Sequence, residues 1–218
     1  ELRVRYRLMD LIRGRVSVSE AILENPVVTL VTAADGTSNL PRISSEPVPQ
    51  KAATQGGTAD AQALEVRNVA LRNGVFRWTQ TAGPEARTVE MTGINLTLDT
   101  LVPGTPGRLK LGASYRVVAE ATNILAGLGS GEFQFRLNEK LQLRELNGAF
   151  DLNAAQSSGQ WSDFARVAFR LSADSTGSEI REMRLAVTDR GQPAGEVRLS
   201  GPMDMDKQEA RIAYEVKG

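Results

Sequence analysis

The chain has 218 residues, with 26 Lys plus Arg against 26 Asp plus Glu, so its formal net charge is zero. That balance argues against a nucleic-acid partner, which selects a basic excess, and against bulk attraction to an anionic membrane surface. With no Cys and no His, disulfides, thiol chemistry, the commonest metal ligand and the commonest general base are excluded.

In chain order, Leu2, Val4, Tyr6 and Leu8 alternate with Arg3, Arg5 and Arg7, the period-two pattern of a strand with one apolar face. The arginines, with Arg13 and Arg15, read as a solvated strand face more simply than as a headgroup or phosphate site. MDLIRG is too short for an independent helix and reads as one helical turn ended by Gly14. Val16 and Val18 open a second alternating run, which Asn25-Pro26 breaks. Val27 to Val31, including Val28 and Leu30, form a third strand. Asp35-Gly36 supplies a turn, and Ser38-Asn39 is placed to cap a short helical turn through Arg42. Ser44 to Ala61 is rich in Ser, Pro, Gly, Ala and Gln and reads as a flexible linker, dividing the chain into 1–43, a linker at 44–61, and 62–218.

Strands resume at Leu64. The parity of the apolar positions changes near Arg67-Asn68, which predicts a bulge. Arg72-Asn73-Gly74 predicts a hairpin turn, with Val75 to Gln80 as the return strand. Thr88 to Val102 carries Ile94, Leu96 and Leu98 on one face and a bend at Gly93. Leu109, Leu111, Ala113, Tyr115 and Val117 give the cleanest alternation in the chain. ATNILAGLGSG then reads as a short helix or loop over one end of the sheet. Phe133, Phe135 and Leu137 share a face before the Asn138-Glu139-Lys140 turn. Phe169 and Leu185 sit in further short alternating runs, which continue to Ile212, Tyr214 and Val216.

About a dozen strands of ordinary length, without any long amphipathic helix pattern, define an all-β chain. Its apolar sheet face needs covering, and the pattern alone leaves open a sandwich, a barrel or an open trough. At ~4.8 Å per strand, a dozen strands in one sheet extend roughly 55 Å. No run approaches the ~20 apolar residues that span a bilayer. The chain opens inside one strand pattern and closes inside another, IAYEVKG, which reads as a segment of a longer protein with a membrane anchor upstream.

No catalytic constellation emerges, and the chain reads as non-enzymatic. Asp10, Asp35, Asp99, Asp151, Asp163 and Asp174 fall at predicted turns or strand ends, where turn chemistry accounts for them. Met203 to Asp206 with Glu209 lacks the spacing of a calcium loop. Trp78 and Trp161 read as packed core or rim residues before they read as a carbohydrate or membrane-interface site.

Four motifs carry a family resemblance. LIRGRVSV, then ILENPVVTL, then DGTSNL follow one another within the first forty residues, and VALRNGVFRW follows at 69–78. In this order they resemble the AsmA-like proteins, relatives of TamB in the Gram-negative envelope. The resemblance covers the first half of the chain; beyond Pro103 only the style of short amphipathic strands persists. It implies a long curled antiparallel sheet forming an open hydrophobic β-groove with one or two very short helices, the β-sandwich being the alternative. It also implies binding of phospholipid or other acyl lipid and a part in phospholipid transport between inner and outer membranes or in outer-membrane assembly. The expected setting is the periplasm, with envelope protein partners and membrane contact through regions outside this segment, and with no cofactor and no metal. The groove lining expected is Val4, Tyr6, Val16, Val18, Val28, Leu30, Val75, Ile94, Leu96, Leu98, Leu109, Leu111, Tyr115, Phe133, Phe135, Leu137, Phe169 and Leu185. The other function considered is a non-catalytic structural or protein-interaction β module of the envelope, a closed sandwich that recruits partners by strand addition.

Overall fold

A computed structural model describes residues 1–6, 16–33, 35, 37–39, 64–81, 86–119, 122–204 and 209–218, with the side chains of Val16 and Leu64 excepted. The MDLIRG turn, residues 40–42 of the predicted cap and the 44–61 linker lie outside the described residues.

Thirteen strands form one sheet: β1 (Leu2–Tyr6), β2 (Val16–Glu24), β3 (Val27–Thr32), β4 (Leu64–Gln80), β5 (Arg87–Leu101), β6 (Pro106–Ala119), β7 (Asn123–Leu137), β8 (Leu143–Ser158), β9 (Val167–Thr176), β10 (Glu179–Asp189), β11 (Gln192–Asp204), β12 (Glu209–Ala210) and β13 (Ala213–Lys217). The spatial order is β1-β2-β4-β5-β6-β7-β8-β9-β10-β11, with β3 beside β4 and β12 and β13 beside β11. β1 does not pair with the other border, so the sheet is open, and a β-sandwich is ruled out because there is no second sheet among the described residues. From β4 to β11 every strand pairs antiparallel with the next in sequence.

Three expectations need correction. The sheet is mixed, because β2 and β3 both run parallel to β4. Asn73-Gly74 is not a hairpin turn: β4 runs through it for 17 residues, and Asn73 takes a left-handed φ of 53° as a bulge. Residues 123–131 form no covering helix. They are the first half of β7, in unbroken register with β6 from Asn123 to Arg136. Gly127, Gly129 and Gly131 bring no strand propensity of their own there, and the glycines are kept extended by strands on both sides. The central strands are also longer than expected, 14 to 17 residues from β4 to β8.

The predicted bends at Asn68 and Gly93 are present, with φ of 51° and 58°. So is the Asn138 turn, where the Asn138 Oδ1 accepts from the Lys140 and Gln142 amides at 3.0 and 2.9 Å. The one helix described is a 3-10 segment at Gly159–Arg166 that carries Trp161 and joins β8 to β9.

Candidate functional site: an uncovered apolar sheet face

Residues paired across a sheet share a face, so the register alone sorts the side chains. One row crosses eleven strands: Leu2, Leu23, Leu71, Leu96, Leu111, Gly131, Phe150, Leu171, Leu185, Val197 and Val216. A second runs Val4, Ala21, Val69, Leu98, Leu109, Phe133, Gly148, Ala173, Met183, Leu199 and Tyr214. Shorter rows flank them, such as Val28, Phe76, Met91 and Tyr115, then Leu30, Trp78, Val89 and Val117. No charged residue interrupts either long row.

Among the described residues this face has no second layer. Beyond strand neighbours, the only substantial contacts among them are those of the 3-10 helix with β7 and β8. Among the described hydrophobic residues only Ile22, Ala70 and Ala173 are buried, and no large side chain is fully buried. Ile22 and Ala70 pair with each other and lie in line with Thr97, Lys110 and Glu132, on the opposite face. The apolar face is therefore half-exposed along most of its extent.

The expected lining residues whose side chains are described fall on this face with one exception. Tyr6 and Val18 pair with each other and, through Val66, join it. Ile94 pairs with Gly74, Phe135 with Leu146, Leu137 with Leu143, and Phe169 with Leu152. Val75 is a correction: Gly74 and Phe76 hold the apolar face, so alternation turns Val75 to the other side. The bulge at Asn73 resets the parity that placed it among the lining residues. Val16 pairs with Leu64 in the backbone register. Phe150, Leu171, Val197 and Val216, outside the expected lining, extend the face to the far border; the same period-two signal marks them.

The floor of the face is flattened at β7. Gly127, Gly129 and Gly131 carry no side chain, and neighbouring rings lie over them: Phe150 would stand 2.8 Å from a β-carbon at Gly129 and 2.9 Å from one at Gly131. Tyr115 crosses to donate from its hydroxyl to the Asn153 carbonyl at 3.3 Å, and burial pushes its pKa up.

The opposite face is polar and electrically closed. Opposite charges meet across adjacent strands at Arg5–Glu20, Arg72–Glu24, Arg77–Glu90, Lys110–Glu132, Arg136–Glu145 and Arg170–Asp151, at 2.7 to 3.4 Å. Glu196 takes Arg184 and Arg198 together. Burial works against its charged form, but those two hydrogen bonds prevail and hold its carboxyl below the usual range. Much of the charge on this face is therefore paired strand by strand. Arg3 and Arg5 of the N-terminal arginine run are paired, with Glu1 and Glu20. Depressions of about 890 and 450 Å³ open on this face. The first is lined by Glu132, Asp151, Arg170 and Asp174, the second lies around Ile22 and Ala70. Asp151 and Asp174 stand inside β8 and β9 as ion-pair partners, not at turns as expected. Asp35 does hold a turn, accepting from the Thr37 amide and hydroxyl at 2.9 and 2.6 Å, which lowers its pKa.

The motif asparagines converge at the N-terminal border. β2 and β3 keep one offset of 48 residues against β4, from Val16–Leu64 to Thr32–Gln80, so they are one strand interrupted at Asn25-Pro26. The interruption sits opposite the Asn73-Gly74 bulge. Asn73 Nδ2 donates to Asn25 Oδ1 at 2.8 Å, the Asn73 amide donates to Asn95 Oδ1 at 3.1 Å, and Asn25 is itself left-handed at φ 52°. Asn39 acts as a surrogate strand, accepting from the Val31 amide at 2.7 Å and donating to the Thr29 carbonyl at 2.8 Å, which occupies the outer edge of β3.

No family model, no curated protein and no solved structure matches the chain. No helix among the described residues is long and apolar enough to cross a membrane.

Proposed function

We propose that this chain is a length of an AsmA-like envelope protein that binds acyl chains on its uncovered apolar face and takes part, without catalysis, in phospholipid transport between membranes or in outer-membrane assembly. The observation that supports this reading most is the apolar face itself: rows of Leu, Val, Phe and glycine cross eleven strands, and none of the described residues packs on them as a second layer. A patch of that extent on a soluble chain marks an interaction site. A lining that is aliphatic and uncharged holds hydrocarbon without fixing its register, which sliding transport needs. Acyl burial contributes ~0.8 kcal/mol per CH₂, so a chain of ~16 carbons gains about 12 kcal/mol gross, much of it offset by the cost of association. On this reading the setting is the periplasm and the cargo is phospholipid or another acyl lipid.

The test is native mass spectrometry of the purified chain with extraction of what co-purifies. Discrete adducts at phospholipid masses are expected. Leu111→Arg, in the middle of the apolar face, is expected to retain the β spectrum and to lose most of the lipid, whereas Thr97→Arg on the charged face keeps it. A folded chain that takes up no added lipid, or a Leu111→Arg variant with parental occupancy, overturns the reading.

A further inference from the structure

The apolar face does not end alike at its two rims. Beyond the row of Leu30, Trp78, Val89 and Val117, the next register row is Thr32, Gln80, Arg87, Ala119 and Asn123. At the opposite rim the rows stay apolar, with Tyr6, Val18, Val66 and Leu101 in one and Leu137 beside Leu143 in another. We infer that the first rim is a headgroup site: Arg87, seated on Trp78, receives the phosphate of a glycerophospholipid whose acyl chains lie on the apolar face. This inference deepens the acyl-lipid reading and rests on it.

The position of Arg87 is unusual for a charge in this sheet. From β4 to β7 the register sends every other charged side chain to the opposite face, where Arg77, for example, meets Glu90 at 2.7 Å. Arg87 shares the parity of Val89 and Met91, which pair with Trp78 and Phe76, and so stands on the apolar side. A cation at the edge of an apolar face suits a ligand that is apolar for most of its length and anionic at one end. An acyl lipid with a phosphate headgroup has that form.

The neighbours of Arg87 fix its guanidinium. The guanidinium centre lies 5.8 Å from the centroid of the Trp78 ring, within the range of a cation–π contact. Its Nε donates to Gln80 Oε1 at 3.2 Å. Trp78 is held in turn, because its Nε1 donates to Thr32 Oγ1 at 3.1 Å. The ring is half-buried, whereas Arg87 is exposed, so a phosphate reaches the cation from water while the tails settle on Val89, Met91 and Tyr115 farther in. The planar fork of an arginine matches two oxygens of a phosphate, and tryptophan favours the boundary between hydrocarbon and water. Asn123, at the other end of the row, is buried and accepts from the Gln160 amide at 3.0 Å, a structural task. A lipid held by Arg87 lies in one sense only, headgroup at the rim where β4 ends and β5 begins, tails inward.

The test offers the purified chain two lipids with the same tails, dioleoylphosphatidate and dioleoylglycerol, in equal amounts in neutral detergent. Native mass spectrometry reads the occupancy of each. The parent is expected to hold phosphatidate in about fivefold excess, the scale of an exposed charge pair. Arg87→Gln is expected to bring the ratio close to one, and Arg87→Lys to leave it in between, because an ammonium lacks the fork. Arg77→Gln makes the same charge change on the opposite face and is expected to keep the parental ratio. Glycerol 3-phosphate in large excess is expected to leave the ratio unchanged, since it has no tails to hold it. A ratio of one in the parent, an unchanged ratio in Arg87→Gln, an equal fall in Arg77→Gln, or displacement of phosphatidate by glycerol 3-phosphate overturns the headgroup site and leaves the acyl-lipid reading standing. Uptake of neither lipid overturns both.

Discussion

The run of hairpins from β4 to β11 and the border formed by β1, β2 and β3 are parts of one sheet held by different means. In the hairpin region each strand meets the strand next to it in sequence, and the backbone ladder itself supplies the order. Turns there need only local chemistry, such as the Asn138 side chain. At the border, β2 and β3 meet β4 across 48 residues, in parallel, and parallel pairing is slightly weaker per residue and costs more chain entropy to close. The border compensates with side chains: Asn25, Asn73 and Asn95 link β2–β3, β4 and β5, and Asn39 substitutes for a missing strand. Regular pairing tolerates change in its side chains but not in its steric fit, whereas an irregular border depends on a few polar side chains.

The largest expected effect tests the first half of that statement. A β-carbon at Gly127 runs into the Asn153 carbonyl oxygen on β8, so Gly127→Ala is expected to cost about 3 kcal/mol, the upper range for overpacking, read as a drop in the urea midpoint. Next comes Asn73→Ala, which forces a non-Asn residue into a left-handed conformation and removes the side-chain hydrogen bond to Asn25. About 2 kcal/mol is expected from those two terms, with hydrogen exchange accelerated in β2 to β5 and little changed in β7 to β10. Uniform acceleration throughout would erase the distinction between the two regions. Asn39→Ala is expected to cost about 1 kcal/mol and to expose the edge of β3, seen as faster exchange at the Val31 amide. Asp151→Asn, which breaks the Arg170 pair on the outer face, is expected to cost only a few tenths of a kcal/mol, as for other exposed pairs.

The smallest effect is in pH dependence. The Glu196 carboxyl is held below its ordinary value in the folded chain, so its contribution is present above the unfolded value near 4.3 and is lost as pH falls through the lower folded value. Glu196→Gln should therefore differ most from the parent at pH 7, with the difference in urea midpoint shrinking as pH falls through the lowered folded value.

Much of the sheet was legible in the sequence because period two is a property of each strand alone. Leu109 to Val117 and Phe133 to Leu137 needed no partner to be read as strands. The apolar face was legible for the same reason, except at Val75, where the bulge at Asn73 reversed the parity. Pairing was less legible. Asn73-Gly74 has the chemistry of a tight turn, and what keeps it within a strand is Asn25-Pro26 beside it, far off in the chain. A signal for that was present: ILENPVV at 22–28 and ALRNGVF at 70–76 share Leu, Asn and Val at the same offset of 48 residues that the strands use. The glycines of β7 were read as an interruption because they pack nothing themselves; they are covered by Phe150 and Tyr115 from the strands on either side. Single-strand propensity holds no trace of such borrowed packing.

A sheet whose described residues form a single layer has a thermal signature. Native and unfolded chains differ in heat capacity mainly because folding removes apolar surface from water, and here the longest apolar rows stay half in water after folding. Melting this chain should therefore register a heat-capacity step below the ~12–15 cal/mol/K per residue of globular domains, and the stability curve should be correspondingly flat. Anything that settles on the apolar face would steepen that curve, so calorimetry registers occupancy of the face without any knowledge of the occupant.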